Sequence, residues 1–227
     1  MTQGQEFVEA DMHYIVDDGK LPVTYVDWPD QEHKAHPPTY ENQRVKIVDG
    51  RPRQDEFNLA THGFAFVNHK TAVQNFYNDD NVRDVCYPEV QTLIKEHIGC
   101  ERVLVFDHTI RTADEEIIAK HGVRQPVKAV HNDYTEKSAP QRVRDLLPAD
   151  EAKEILQRRY AIIQVWRPIK IIESEPLAIC DGRSIPETGF IMLQRRYSYR
   201  TAEVYHISYS GAHRWLYFPK MTPNEAL

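Results

Sequence analysis

The second half of the chain is a succession of short apolar segments cut by turn residues, and this pattern narrows the fold more than any other feature. From Tyr160 onward the segments are YAIIQVWRPI, PLAICD, GFIMLQRRYSYR, AEVYHISYS and HRWLYFP. β-Branched and aromatic residues are frequent in them, and Pro, Gly and Ser separate them. Ser210-Gly211 reads as a turn between the last two. Segments this short pair most simply as an antiparallel meander, closed into a barrel or folded into a double sheet.

Upstream the signals are mixed. Residues 1–57 read as loop-rich, with prolines and charges in DWPDQEHKAHPPTYENQR and short strand candidates such as Val23–Val26. Residues 58–126 read as mixed α/β. Thr61–His69 predicts a strand with Phe64, Phe66 and Asn68 on one face, and Glu101–Ile110 predicts another. Between them, Val90, Leu93, Ile94 and Ile98 recur at helical spacing, and Gly99 is the expected stop. Pro148–Arg159 predicts a charged helix, with Glu154 and Arg158 as an i,i+4 pair. Residues 127–227 are the expected barrel core. The expectation is a single α+β domain over residues 1–227, built on a double-stranded β-helix (jelly-roll or cupin-like) core with flanking helices. Near the end, Thr222, Pro223 and Glu225 match a capping box and predict a helix start.

Within this frame the segment VKAVHNDYTEK carries the first chemical signal. His131 and Asp133 are separated by one residue, so on a strand they share a side. The pair alone is weak, because the chain has 11 histidines and His131 could equally be a hydrogen-bonded strand-end residue. Its setting adds weight. An apolar run ends at the pair, a polar and partly helical insert follows, and several strands come after. In that order a double-stranded β-helix presents two of the three ligands of a facial two-His, one-carboxylate iron site, which leaves three positions open. A third ligand has to come from a facing strand. His206 and His213 are the candidates, and each could instead be an ordinary sheet histidine. The anchor for a keto-acid carboxylate is best an arginine. Arg167, Arg183 and Arg214 stand at strand ends, and each could instead be a structural ion-pair partner. Arg142 and Arg144 follow the pair closely and could support a ligand or meet an anionic substrate.

Composition excludes other classes. The formal charge is −6, and the densest basic spot, Gln194-Arg195-Arg196-Tyr197, is too short for a nucleic-acid surface. No apolar stretch approaches the length of a membrane span, and the N-terminus lacks the pattern of a secretory signal. Three cysteines, Cys86, Cys100 and Cys180, with no CxxC, fit reduced thiols in the cytoplasm.

Several blocks together resemble one family: HGFAFVNH, VLVFDHTIR, VHNDYTEKSAPQRVRDLLP, AIIQVWRP, PLAICDGRS and AHRWLYFPKMTPNEAL. From about Phe7 onward the chain is similar to the AsaB hydroxylase/desaturase family, with its CmcJ-like and GA4 desaturase-like relatives. The resemblance implies an Fe(II)- and 2-oxoglutarate-dependent oxidoreductase that uses molecular oxygen to hydroxylate or desaturate a small molecule in secondary metabolism. It places His131 and Asp133 on the metal-ligand motif, as catalytic residues. It also implies that relatives continue past MTPNEAL with a further His and a late Arg. Within this chain the expected metal set is His131, Asp133 and His213, unless that further His is the third ligand, with Arg167 and Arg214 as cosubstrate contacts. The second reading is a catalytically inactive, truncated relative that acts as a binding or partner protein.

Overall fold

The computed structural model describes residues 6–227. Ten strands run in chain order: β1 (Phe7–Ile15), β2 (Val23–Tyr25), β3 (Tyr40–Asp49), β4 (Val67–Asn68), β5 (His131–Asn132), β6 (Ala178–Cys180), β7 (Phe190–Arg196), β8 (Thr201–Ile207), β9 (Trp215–Tyr217) and β10 (Glu225–Ala226). Six helices punctuate them: α1 (Leu59–His62), α2 (Asp79–Asn81), α3 (Tyr87–Ile98), α4 (Glu115–His121), α5 (Ser138–Leu146) and α6 (Ala149–Ile155). The chain divides into two compact units. The first takes residues up to Asp49 with Lys128–Ile163 and Ala178–Tyr217, and the second takes Gly50–Val127, Gln164–Leu177 and Phe218–Leu227.

The first unit holds two four-stranded mixed sheets, β1-β3-β9-β6 and β2-β7-β8-β5. These match the expected α+β jelly-roll type of core. The longest strands, however, are β1 and β3, inside the region read as loop-rich. They pair antiparallel from Phe7↔Val48 to Ile15↔Tyr40. Alternation explains them: Ala10, Met12, Tyr14, Val45 and Ile47 turn inward, while Glu9, Asp11 and Arg44 face out, with Arg44 3.6 Å from Glu9 and 3.4 Å from Asp11. The core draws Tyr14, Ile47 and Trp215 from one sheet and Ile207 from the other, with Val130 just before β5. The expected β7–β8 hairpin forms. The meander does not continue, because β9 leaves β8 and inserts between β3 and β6 in the other sheet.

Two helices stand here: α5, which lies before the expected range, and α6, which forms the expected helix over Pro148–Arg159 in shortened form, entered at Pro148. The first was masked by its charges. Thr135 and Ser138 open it reciprocally, with the Thr135 N–H donating to Ser138 Oγ (2.8 Å) and the Ser138 N–H donating to Thr135 Oγ1 (3.0 Å).

The second unit packs α3 and aromatic residues with the short β4–β10 pair. Gly99 ends α3 in the left-handed conformation as expected (φ 64°). The predicted strand Thr61–His69 is instead a helical turn capped by Asn58 and stopped by Gly63 (φ 81°), with β4 as its only ladder. Phe64 and Phe66 still bury, against Phe218. Glu101–Ile110 and Tyr160–Ile169 form no ladder. Extended chain needs a partner edge to form a ladder, and these runs are held instead by scattered bonds, among them Gln91 Nε2 donating to Val103 O and the reciprocal Trp166–Leu227 backbone pair. Thr222 and Glu225 do bond as a capping pair would, with the Thr222 N–H donating to Glu225 Oε2 at 2.7 Å, yet they close a turn into β10 rather than open a helix. Among the described residues no helix is long and apolar enough to cross a membrane.

Candidate active site

β5 places the His131/Asp133 pair. Val130 is 8% exposed in the core beside Tyr14 and Ile207, so its neighbour His131 turns to the opposite face. The His131 Nδ1–H donates to Ala129 O at 2.7 Å. In the neutral ring that bond assigns the proton to Nδ1 and the lone pair to Nε2, and Nε2 lies 3.5 Å from Asp133 Oδ1. Two donors at right angles on one ion, each about 2.1 Å from it, stand about 3 Å apart. The pair therefore fits two adjacent positions of a metal centre by donor type, tautomer and spacing.

Antiparallel register sets His206 directly opposite His131. The two rings lie 6.0 Å apart, and Tyr40 Oη is 3.0 Å from His206 Nδ1. Burial first, then the neighbouring His131 and Arg195, push the His206 imidazole down to about 4, which keeps it neutral near pH 7. Burial raises the Tyr40 phenol, with Arg195 acting in the other sense. Arg195 shares its face of the hairpin with His206, through the partners Ile191↔His206 and Arg195↔Ala202.

His213, the expected third ligand, is elsewhere. Its ring stacks on Tyr14 at 5.5 Å and meets Trp215 edge-on at 6.3 Å, on the core side that His131 turns away from. Tyr14 accepts from Trp215 Nε1 at 2.7 Å and meets His213 Nδ1 at 3.1 Å, while His213 Nε2 is buried without a hydrogen-bond partner. Among the described residues no three His, Cys, Asp or Glu side chains converge as a metal-binding set. The expected cosubstrate arginines are also engaged. Arg167 donates to the carbonyls of His69 (3.3 Å) and Pro223 (3.2 Å) and contacts His69 Nδ1. Arg214 donates to Asp181 (3.2 Å), which also receives Arg183 (2.6 Å). These cations hold the Asp181 carboxyl well below the usual carboxylate range. Reading the residues in order missed Tyr40, Tyr14 and Arg195. Strand register puts Arg195 on the face of His206, a side-chain contact from the other sheet brings Tyr40 to its ring, and no local spacing signals either.

Comparison with known proteins gives a consistent picture. Residues 12–227 match the family described as YDMC, oxidoreductase/YMDC permease-like domain. The chain is 34% identical over 209 residues to the hydroxylase/desaturase CTB9 of Cercospora beticola, covering 83% of this chain and 64% of that protein. It is 30% identical over 194 residues to the alpha-ketoglutarate-dependent dioxygenase tstK of Talaromyces stipitatus, covering 81% and 69%. It thus spans about two thirds of the length of these relatives. A solved structure of a variant of the iron and alpha-ketoglutarate-dependent endoperoxidase NvfI superposes with a TM-score of 0.82 at 25% identity, covering 97% of this chain and 83% of that one. These names lend nothing to the inactive-partner reading. By the family match and by its fungal relatives, the chain belongs to the family of the hydroxylase/desaturases and alpha-ketoglutarate-dependent dioxygenases.

Proposed function

We propose that this protein is an Fe(II)- and 2-oxoglutarate-dependent oxidoreductase that hydroxylates or desaturates a small molecule in a secondary-metabolite pathway. One observation carries the reading: His131 Nε2, freed by the Nδ1–Ala129 bond, faces Asp133 at 3.5 Å. His131 and Asp133 would hold the iron, and the bound metal with its keto acid and oxygen would supply the oxidising chemistry. The chain's own residues prepare the site. The Ala129 carbonyl fixes the His131 tautomer and ring plane. The neutral His206 imidazole adds no positive charge beside the ligands. Arg195, exposed on the same face as His206, offers a guanidinium fork to the keto-acid carboxylate. The three cysteines are free thiols, which supports a cytoplasmic location.

The test is succinate release. With Fe(II), 2-oxoglutarate and air, the protein should convert the keto acid to succinate even without its natural substrate. His131→Ala and Asp133→Ala should abolish the conversion. Wild-type protein that forms no succinate, or variants that form as much as wild type, would overturn the reading.

A further inference from the structure

The face of the β7–β8 hairpin opposite His206 carries a second feature. There β2 and the segment after it approach Gln194, Arg196, Thr201 and Glu203 and border an open cleft of about 690 Å³. That volume suits a small organic ligand. We propose that this cleft binds a planar aromatic acid bearing a ring hydroxyl.

The wall is aromatic. Tyr25 and Trp28 meet edge to face at 5.7 Å, and both line the cleft. The floor is a fixed cation. Arg196 donates through Nε (3.1 Å) and Nη2 (2.8 Å) to Gln194 Oε1, and through Nη1 (3.2 Å) to Tyr25 Oη. Three of its five N–H groups are thus used on neutral partners, and one remains on each terminal nitrogen. No carboxylate pairs with it among the described residues. A guanidinium held in place with a free N–H on each prong is arranged to take a carboxylate across two oxygens. Opposite Gln194 in register, Glu203 accepts from Gln194 Nε2 (3.0 Å) and from Thr135 Oγ1 (3.3 Å). Each of its oxygens keeps lone-pair capacity for a ligand hydroxyl. Lys34, held by Gln31 at 2.6 Å, adds positive charge among the lining residues. The ring rests on Trp28 and Tyr25, the carboxylate on Arg196, and the hydroxyl on Glu203.

This site does not depend on iron, so it is tested on the full chain in EDTA, with 3-hydroxy-2-naphthoate as the probe in a calorimetric titration. Saturable one-to-one binding is expected. Arg196→Gln should weaken it about tenfold or more, because a charge-assisted pair is lost. Arg196→Lys, which keeps the charge but not the fork, should weaken it as well, with the melting midpoint confirming folding. Trp28→Ala should weaken it, and Arg195→Gln, on the opposite face, should leave it unchanged. No saturation by about 1 mM probe, full affinity in folded Arg196→Gln, or loss in Arg195→Gln would overturn the proposal. Succinate release is unaffected by any of these outcomes, so failure here is distinct from failure of the iron site.

Discussion

Replacing Tyr14 by Phe removes one oxygen from the centre of the first unit. Tyr14 is 0% exposed, and burial pushes its phenol up to about 12, so the hydroxyl is neutral near pH 7. Its ring contacts to Tyr209 (5.2 Å) and Trp215 (6.5 Å) survive in Phe. What is lost is the acceptor of the Trp215 Nε1–H and the partner of His213 Nδ1. A typical internal hydrogen bond contributes about 1 kcal/mol net, and a buried donor left alone costs about 1–3 kcal/mol. The sum is about 2–4 kcal/mol. For a chain of this length each kcal/mol moves the melting midpoint by about 2–4 °C. Urea unfolding of Tyr14→Phe, Trp215→Phe and the double variant forms a cycle. In the Trp215→Phe background the indole donor is already gone, so Tyr14→Phe should cost about 1–2 kcal/mol less than in wild type. A Tyr14→Phe cost under about 0.5 kcal/mol, or strict additivity in the cycle, would refute the reasoning that this hydroxyl satisfies both partners.

Two further outcomes follow from the same physical bookkeeping. In the second unit Arg51 grips Glu225 through Nη1 at 2.5 Å and Nη2 at 3.0 Å, and this holds the Glu225 carboxyl below its ordinary 4.5. The depressed carboxyl contributes stability above about pH 4.5 that is lost as pH falls, so Glu225→Gln should cost about 1–3 kcal/mol at pH 7 and much less in acid. His206 also has a folded pKa below its ordinary 6.5, at about 4. The unfolded chain therefore takes up the proton first, and stability should fall from pH 6.5 to 4 and level off below. Fully linked, that shift would amount to about 3 kcal/mol, and partial exposure of the ring screens it to about 1–2 kcal/mol. His206→Gln should flatten urea midpoints measured across this range.

The sequence made the later strands legible because each is a compact apolar run that must pair to bury itself. PLAICD, GFIMLQRRYSYR, AEVYHISYS and HRWLYFP all yield ladders. It concealed β1 and β3, because FVEADMHYI and YENQRVKIVD alternate with charges and are held together by cross-strand partners rather than by propensity. It overstated ERVLVFDHTI, whose β-branched content has no facing edge. The closeness of His131 and Asp133 was readable from their spacing. The place of His213 was not, since the parity of Val130 and the hydrogen bond from Tyr14, 199 residues away, decide which side it takes. For the same reason Arg195 read as a solvated basic spot, until register set it on the face of the hairpin that carries His206.

The central claim is that His131 and Asp133 together bind a divalent transition metal. Titration of the metal-free chain with Co(II), followed by visible absorbance and calorimetry, tests it without substrate or turnover. Wild type should bind one equivalent. That binding should be lost in both His131→Ala and Asp133→Ala, with unfolding free energies within about 0.5 kcal/mol of wild type because both side chains are partly exposed. Binding that persists undiminished in the two variants, or a wild-type chain that takes up no metal, would contradict it.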